Sequence, residues 1–282
     1  MYRAQELVAS LDKLASLPSV YYRIRDKLDD PDATIAELTQ EIASDPALST
    51  AVLRVANSAM YGLPRRVDTL SQALNLIGLR TLGDIVLTSS IATTFGGMHA
   101  GNMDMLRFWR SSVRCALLCR VMAEQRGDVL AERMFLLGLL SDMGHLVMYQ
   151  AIPDLSDLVL SSGGLSLEQR AAREREVIGC DFAEVGVALA HSWRLPVGLG
   201  VTLGAQLQPE QAGDLAPQAA CIRFARHLDD DIESDIALDD LAQKHLGTWQ
   251  ALSGAQDASV SALVTAAEAS LLEMLVAMGL AH

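Results

Sequence analysis

The chain has 282 residues, half of them apolar, which is enough for one large or two modest cores and excludes disorder throughout. Its 22 Lys and Arg stand against 35 Asp and Glu, so the net charge is −13. Such a field repels phosphate backbones and anionic bilayers, and neither nucleic acid nor membrane is an expected partner. Glu6 and Asp12 interrupt the N-terminal segment where a secretion signal needs an unbroken apolar run. The longest uncharged stretch, 85–103, is too rich in Thr, Ser and Gly to span a bilayer, so the chain reads as soluble and cytoplasmic.

Apolar residues recur with the helical period along nearly the whole chain and no run alternates with period two, so the fold class is all-α. Leu7, Leu11 and Leu14 share one face of a first helix, which Leu17-Pro18 ends. A second helix is expected over 19–28. Thr34 and Glu37 form a capping box ahead of Ile35, Leu38 and Ile42. Asp45-Pro46 opens the next helix, because proline suits the first helical position, where an N–H would be unpaired anyway. Its buried face is Leu48, Val52 and Val55, and at its end Asn57 and Ser58 are expected to bond backbone groups. Thr69 with Gln72, then Thr81 with Asp84, predict two more helix starts. Three glycines in FGGMHAGN, 95–102, mark a boundary. Residues 1–100 thus read as an N-terminal helical bundle, and a second unit begins near Asp104.

Trp109, Val113, Ala116, Leu117 and Val121 mark a long helix, and 134–149 is apolar nearly all round, as in a helix at the centre of a domain. Further helices should open near Ser166, Asp181 and Pro217. Between Asp229 and Asp240 lie seven acidic residues and no basic ones, so 229–257 reads as an acidic linker or loop after a unit spanning 104–228. Within 258–282, Val260, Leu263, Val264, Ala267, Leu271, Met274, Leu275 and Met278 stripe a terminal helix, with Glu268 and Glu273 off the stripe. It closes the chain's own core or, if left unpacked, is the surface for a homodimer or a partner. The cysteines Cys115, Cys119, Cys180 and Cys221 form no CxxC pair and read as reduced, buried hydrophobes.

Ser141, Asp142 and His145 suggest a serine hydrolase, but neighbours on a helix diverge by about 100° and cannot line up as nucleophile, base and orienter. The phosphate-loop, dinucleotide-binding and zinc-protease signatures are all missing. Histidines 99, 145, 191, 227, 245 and 282 are scattered, and for His145 and His191 a bond to a backbone carbonyl is expected rather than metal ligation.

The ordered segments LPSVYYRIRDKLDD, IASDPALSTAVLRVANSAMYGL, TLSQALNLIGLRTLGDIVL, FWRSSVRCALLCRVMA, GLLSDMGHLVM and CDFAEVGVALAHSWRLP resemble the bacterial HDOD (HD-related output domain) family to about Arg226. That resemblance implies an N-terminal helical bundle followed by an HD-phosphohydrolase-like helical domain, in a module serving as output or adaptor in bacterial signalling. Catalytic HD enzymes hold divalent metal through an isolated His, a His-Asp pair and a distal Asp. Carried over, the isolated His becomes Ser111 and the pair becomes Ser141-Asp142. A further His becomes Phe182 and the distal Asp becomes Arg226. One hard oxygen ligand cannot hold a cation that needs four to six, so the resemblance implies a pseudo-enzyme with no metal or other cofactor. Asp142 is expected to pair with Ser111, Ser141, Arg226 or a backbone amide. Two alternatives remain: an HD-type phosphohydrolase of nucleotides or cyclic dinucleotides using replacement ligands, and a non-hydrolysing sensor in which Arg223 and Arg226 contact a phosphate.

Overall fold

A computed structural model of the chain describes residues 1–11, 16–98, 100–128, 131–160 and 164–281, and among these every regular element is helical. The fold class is all-α. The chain divides into a larger unit, Met1–Ser16 with His99–Ala269, and a smaller one, Leu17–Met98 with Ser270–His282. The passage between them falls inside the glycine-rich 95–102 segment, yet neither unit is one continuous stretch. Helix α1 (Ala4–Ser10) belongs to the larger unit rather than to an N-terminal bundle, with Leu7 and Val8 buried and the Tyr2 N–H donating to the Ile178 carbonyl at 2.7 Å. A chain end can pair with a distant segment, and local periodicity carries no record of that.

The smaller unit contains α2 (Ser19–Asp29), α3 (Ile35–Ala43), α4 (Pro46–Ala56) and α5 (Leu70–Phe95). Thr34 and Glu37 make the reciprocal capping box, and Asp45 accepts the Ala47 and Leu48 N–H groups at 3.0 Å each. Leu48, Val52 and Val55 are buried as their spacing requires. Thr69 caps α5, but no new cap stands at Thr81. The helical course breaks instead at Gly78, with φ 81° and ψ 169°, a conformation that glycine adopts without a Cβ penalty, and the helix resumes at once.

The larger unit continues with α6 (Met105–Gln125), α7 (Ala131–Leu140), α8 (Met143–Ala151), α9 (Pro153–Leu160), α10 (Leu167–Val177) and α11 (Phe182–Ser192). It ends with α12 (Val197–Gly204), α13 (Ala216–Glu233), α14 (Leu238–Ser253) and the first part of α15 (Val260–Met278). Trp109, Trp193, Trp249, Phe135 and Phe182 are fully buried in its core. Ser166 and Asp181 open α10 and α11 with capping boxes. The apolar stretch 134–149 is two helices, broken at Ser141-Asp142. A segment apolar on every side has no polar face from which a break could be located.

The expected linker over 229–257 is corrected. Helix α13 runs to Glu233, α14 fills most of the remainder, and Asp229 is buried. Its partners are Arg114 and Ser111 on α6, more than a hundred residues away in sequence. The α15 stripe from Val260 to Met278 is buried in the chain, so that face is not free for a second copy. By length and composition α5 and α15 could cross a membrane, but 56% of the apolar window of α5 and 44% of that of α15 is buried inside the chain. Core packing accounts for part of that apolar character.

Candidate functional site: a buried quartet of charges

The turn between α7 and α8 carries Ser141 and Asp142, and His145 follows on the first turn of α8. Gly144 lets α8 approach the start of α11, since a Cβ there would lie 1.9 Å from the Phe182 carbonyl oxygen. That approach stacks the Phe182 ring on the His145 imidazole, with centroids 4.4 Å apart and planes at 13°.

Four charged side chains meet there. His145 Nδ1 lies 2.5 Å from Asp142 Oδ1, and its Nε2 lies 2.7 Å from Glu174 Oε1 on α10. The Arg226 guanidinium, from α13, stands 2.9 Å from the same Asp142 oxygen. The second Glu174 oxygen accepts the Phe182 N–H at 2.9 Å. All four residues are buried.

Burial alone lowers the basicity of an imidazole, because the charged form loses its hydration. Here Asp142 and Glu174, one on each nitrogen, outweigh burial and push His145 up to about 9. His145 is therefore an imidazolium at neutral pH, and both ring nitrogens donate. Burial would raise the Asp142 carboxyl, but Arg226 and then His145 hold it well below the usual carboxylate range. Burial also works against the Arg226 charge, and Asp142 restores it. Two anions and two cations make a neutral set, the condition under which charge survives in a core.

The expected site residues fall into two groups. Asp142, Phe182 and Arg226 come together, and Asp142 does pair with Arg226. Ser141 donates instead to the Gly138 carbonyl at 2.7 Å, and Ser111 donates to Asp229. Arg223 is held by Glu168 at 2.8 Å, so the two arginines considered for a phosphate are committed to separate carboxylates. For His145 the expectation of a carbonyl partner is corrected: its ring nitrogens hydrogen-bond two carboxylates, one of them on a helix 29 residues further on. Of the other histidines, His227 bonds Glu168, His245 bonds Asp231 and His191 is exposed, while His99 and His282 lie outside the described residues.

Sequence reasoning missed Glu174 altogether. Its spacing within α10 marks it as one of several charges on a polar helix, and nothing local distinguishes it from the exposed Glu176. A second buried cluster also escaped notice. Arg114 on α6 reaches Asp229 and Glu233 at 2.7 Å and Glu268 at 2.5 Å.

The donor set does not fit the divalent metal that HD enzymes carry. Each His145 nitrogen is engaged by a carboxylate, both Glu174 oxygens are bonded, and Asp142 Oδ1 is shared between His145 and Arg226. Among the described residues no group of three or more His, Cys, Asp or Glu side chains could hold a metal ion.

Architecture and site together define an all-helical domain of the HD-like class. The HDOD domain model matches residues 14–209, and the chain belongs to that family. A solved structure of a candidate phosphohydrolase from Shewanella amazonensis is 26% identical with a TM-score of 0.76, the match covering 98% of each chain. A candidate signal transduction protein from Marinobacter aquaeolei shares the fold at 21% identity and a TM-score of 0.64, over 99% of this chain and 62% of that one. An uncharacterized protein of Treponema pallidum is 25% identical over 197 residues, which is 68% of this chain and 37% of its own length. The match therefore spans little more than a third of that curated relative.

Proposed function

We propose that the chain is a catalytically inactive signalling module of the cytoplasm, acting as an output or adaptor domain by binding another protein. The observation that carries this reading is the buried, charge-neutral quartet of Asp142, His145, Glu174 and Arg226. A metal-dependent phosphohydrolase uses its cation to lower the pKa of a bound water and to polarise the phosphoryl oxygen. In this chain Oδ1 of the retained carboxylate of the implied metal position is shared between His145 and Arg226, and those two cations repel a metal. Family membership supports the signalling role, and the Marinobacter relative is described in the same terms.

The reading is tested by metal analysis of the purified chain together with turnover of nucleotides and cyclic dinucleotides in the presence of manganese, iron or magnesium. We expect substoichiometric metal and no turnover that depends on Asp142. Stoichiometric metal with turnover lost in Asp142→Asn would overturn the inactive reading in favour of a phosphohydrolase, the activity named for the Shewanella relative.

A further inference from the structure

From Pro46 to Val67 the sequence holds three arginines, Arg54, Arg65 and Arg66, and no Asp or Glu, in a chain whose net charge is −13. These residues form α4 and the turn that follows it in the smaller unit. Asn57 fixes the turn: its amide donates to the Leu53 and Val67 carbonyls and accepts the Val67 N–H, each at 2.8 Å. The surface there is set before any partner arrives.

A groove of about 490 Å³ runs between the end of α4, residues 66–68 and the last turns of α15, and a recess of about 230 Å³ adjoins it at Asn57, Ser58 and Arg66. Leu53, Val67, Val276 and Ala277 give the groove apolar walls, Arg54 and Arg66 stand beside them, and Arg65 lines the recess. Two acids are nearby. Asp68 lies 3.6 Å from Arg66 with both side chains more than 80% exposed, and Glu273 is engaged by the Ala59 N–H at 2.6 Å. Arg54 and Arg65 have no carboxylate within ion-pair distance among the described residues. Next to the groove α15 exposes Leu272 and Val276, at 70% and 55%.

We propose that this groove receives a short acidic, amphipathic segment of a partner protein. Apolar side chains of that segment lie against Leu53 and Val276, and its carboxylates meet Arg54 and Arg65. Charge selects the occupant. An acidic segment is repelled by the field of a chain with net charge −13 and finds local attraction where arginines stand without carboxylate partners. The apolar walls then supply the area that a purely ionic contact lacks.

The proposal rests on the partner-binding reading above, and its test separates the two. Fluorescence anisotropy of the full chain is measured with a labelled peptide of repeating Glu-Leu-Leu-Glu and with its Lys-Leu-Leu-Lys counterpart, at low and high salt. The acidic peptide is expected to bind and to weaken as salt rises. The double variant Arg54→Glu with Arg65→Glu should weaken it by about tenfold or more, equivalent to about 1.4 kcal/mol, while Arg80→Glu on α5 leaves it unchanged. Both altered side chains are exposed, and an unchanged thermal melt verifies that the variant folds.

Equal binding of the basic peptide, no binding of the acidic one, or indifference to the double substitution each overturns the groove. So does preferential, substitution-sensitive binding to phosphatidylserine vesicles. A native partner identified by cross-linking and held equally by wild type and variant would reject the groove and leave the adaptor reading standing. A chain that binds neither peptide nor protein but hydrolyses nucleotides would reject both.

Discussion

Arg114 on α6 and Arg226 on α13 are both 2% exposed in the larger unit, and they meet the cost of a buried charge in different ways. Arg226 sits in a neutral set of two cations and two anions, all four of them inside the core. Arg114 faces three carboxylates that grade outward: the side chains of Asp229, Glu233 and Glu268 are 3%, 21% and 36% exposed. Arg107, itself 64% exposed, adds a further contact to Glu233 at 2.9 Å. Where water reaches the rim, the excess of negative charge is tolerated because solvent screens it. Where water is absent, each charge needs a fixed opposite.

The largest effect should come from breaking the closed set. Arg226→Ala leaves Asp142 buried beside a single cation and is expected to cost about 3–5 kcal/mol, as when one partner of a buried pair is removed. Arg114→Ala should cost less, about 1–3 kcal/mol, because Glu233 and Glu268 turn to water and Asp229 keeps its bond from Ser111. Asp229 can also protonate, since burial already raises its pKa. Urea denaturation of both variants decides the order, and a larger loss for Arg114→Ala would reject the distinction between the two sites.

A pH profile sharpens the comparison. The folded His145 pKa of about 9 lies above its ordinary 6.5, so its stabilisation is fully present below 6.5 and disappears as pH rises through about 9. The gap corresponds to about 3 kcal/mol, with 1.36 kcal/mol for each pKa unit. Unfolding free energy measured from pH 6 to pH 10 should fall across that window in the wild type and in Arg114→Ala, and stay nearly level in His145→Gln. A slope that survives in His145→Gln belongs to another group.

Ser111→Ala removes one donor from Asp229 while Arg114 remains, and about 1 kcal/mol is expected. At the exposed end of the same cluster, Arg107→Ala should shift stability by no more than about 0.5 kcal/mol, the usual range for a solvated ion pair. A loss at Arg107 as great as that at Ser111 would show that the cluster acts as one unit rather than grading toward water.

Several helix starts were readable from the residues alone. Thr34 with Glu37, Asp45-Pro46, Ser166 and Asp181 act through groups two or three residues away, so their meaning is local and readable. The α15 stripe was legible for the same reason, and family likeness brought Asp142, Phe182 and Arg226 to one place. How charge is balanced in the core was not readable in this way. Glu174 meets His145 across 29 residues and Arg114 meets Asp229 across 115, distances at which spacing carries no signal. The acidic run after Asp229 therefore read as solvated when its first residue lies in the core. The apolar stretch around Ser141-Asp142 likewise read as one helix, because burial on all sides erases the period that would reveal the break. Electrostatic neutrality is a property of the folded neighbourhood: a carboxylate is buried or exposed according to which cations the fold delivers to it, and the order of residues alone does not state that.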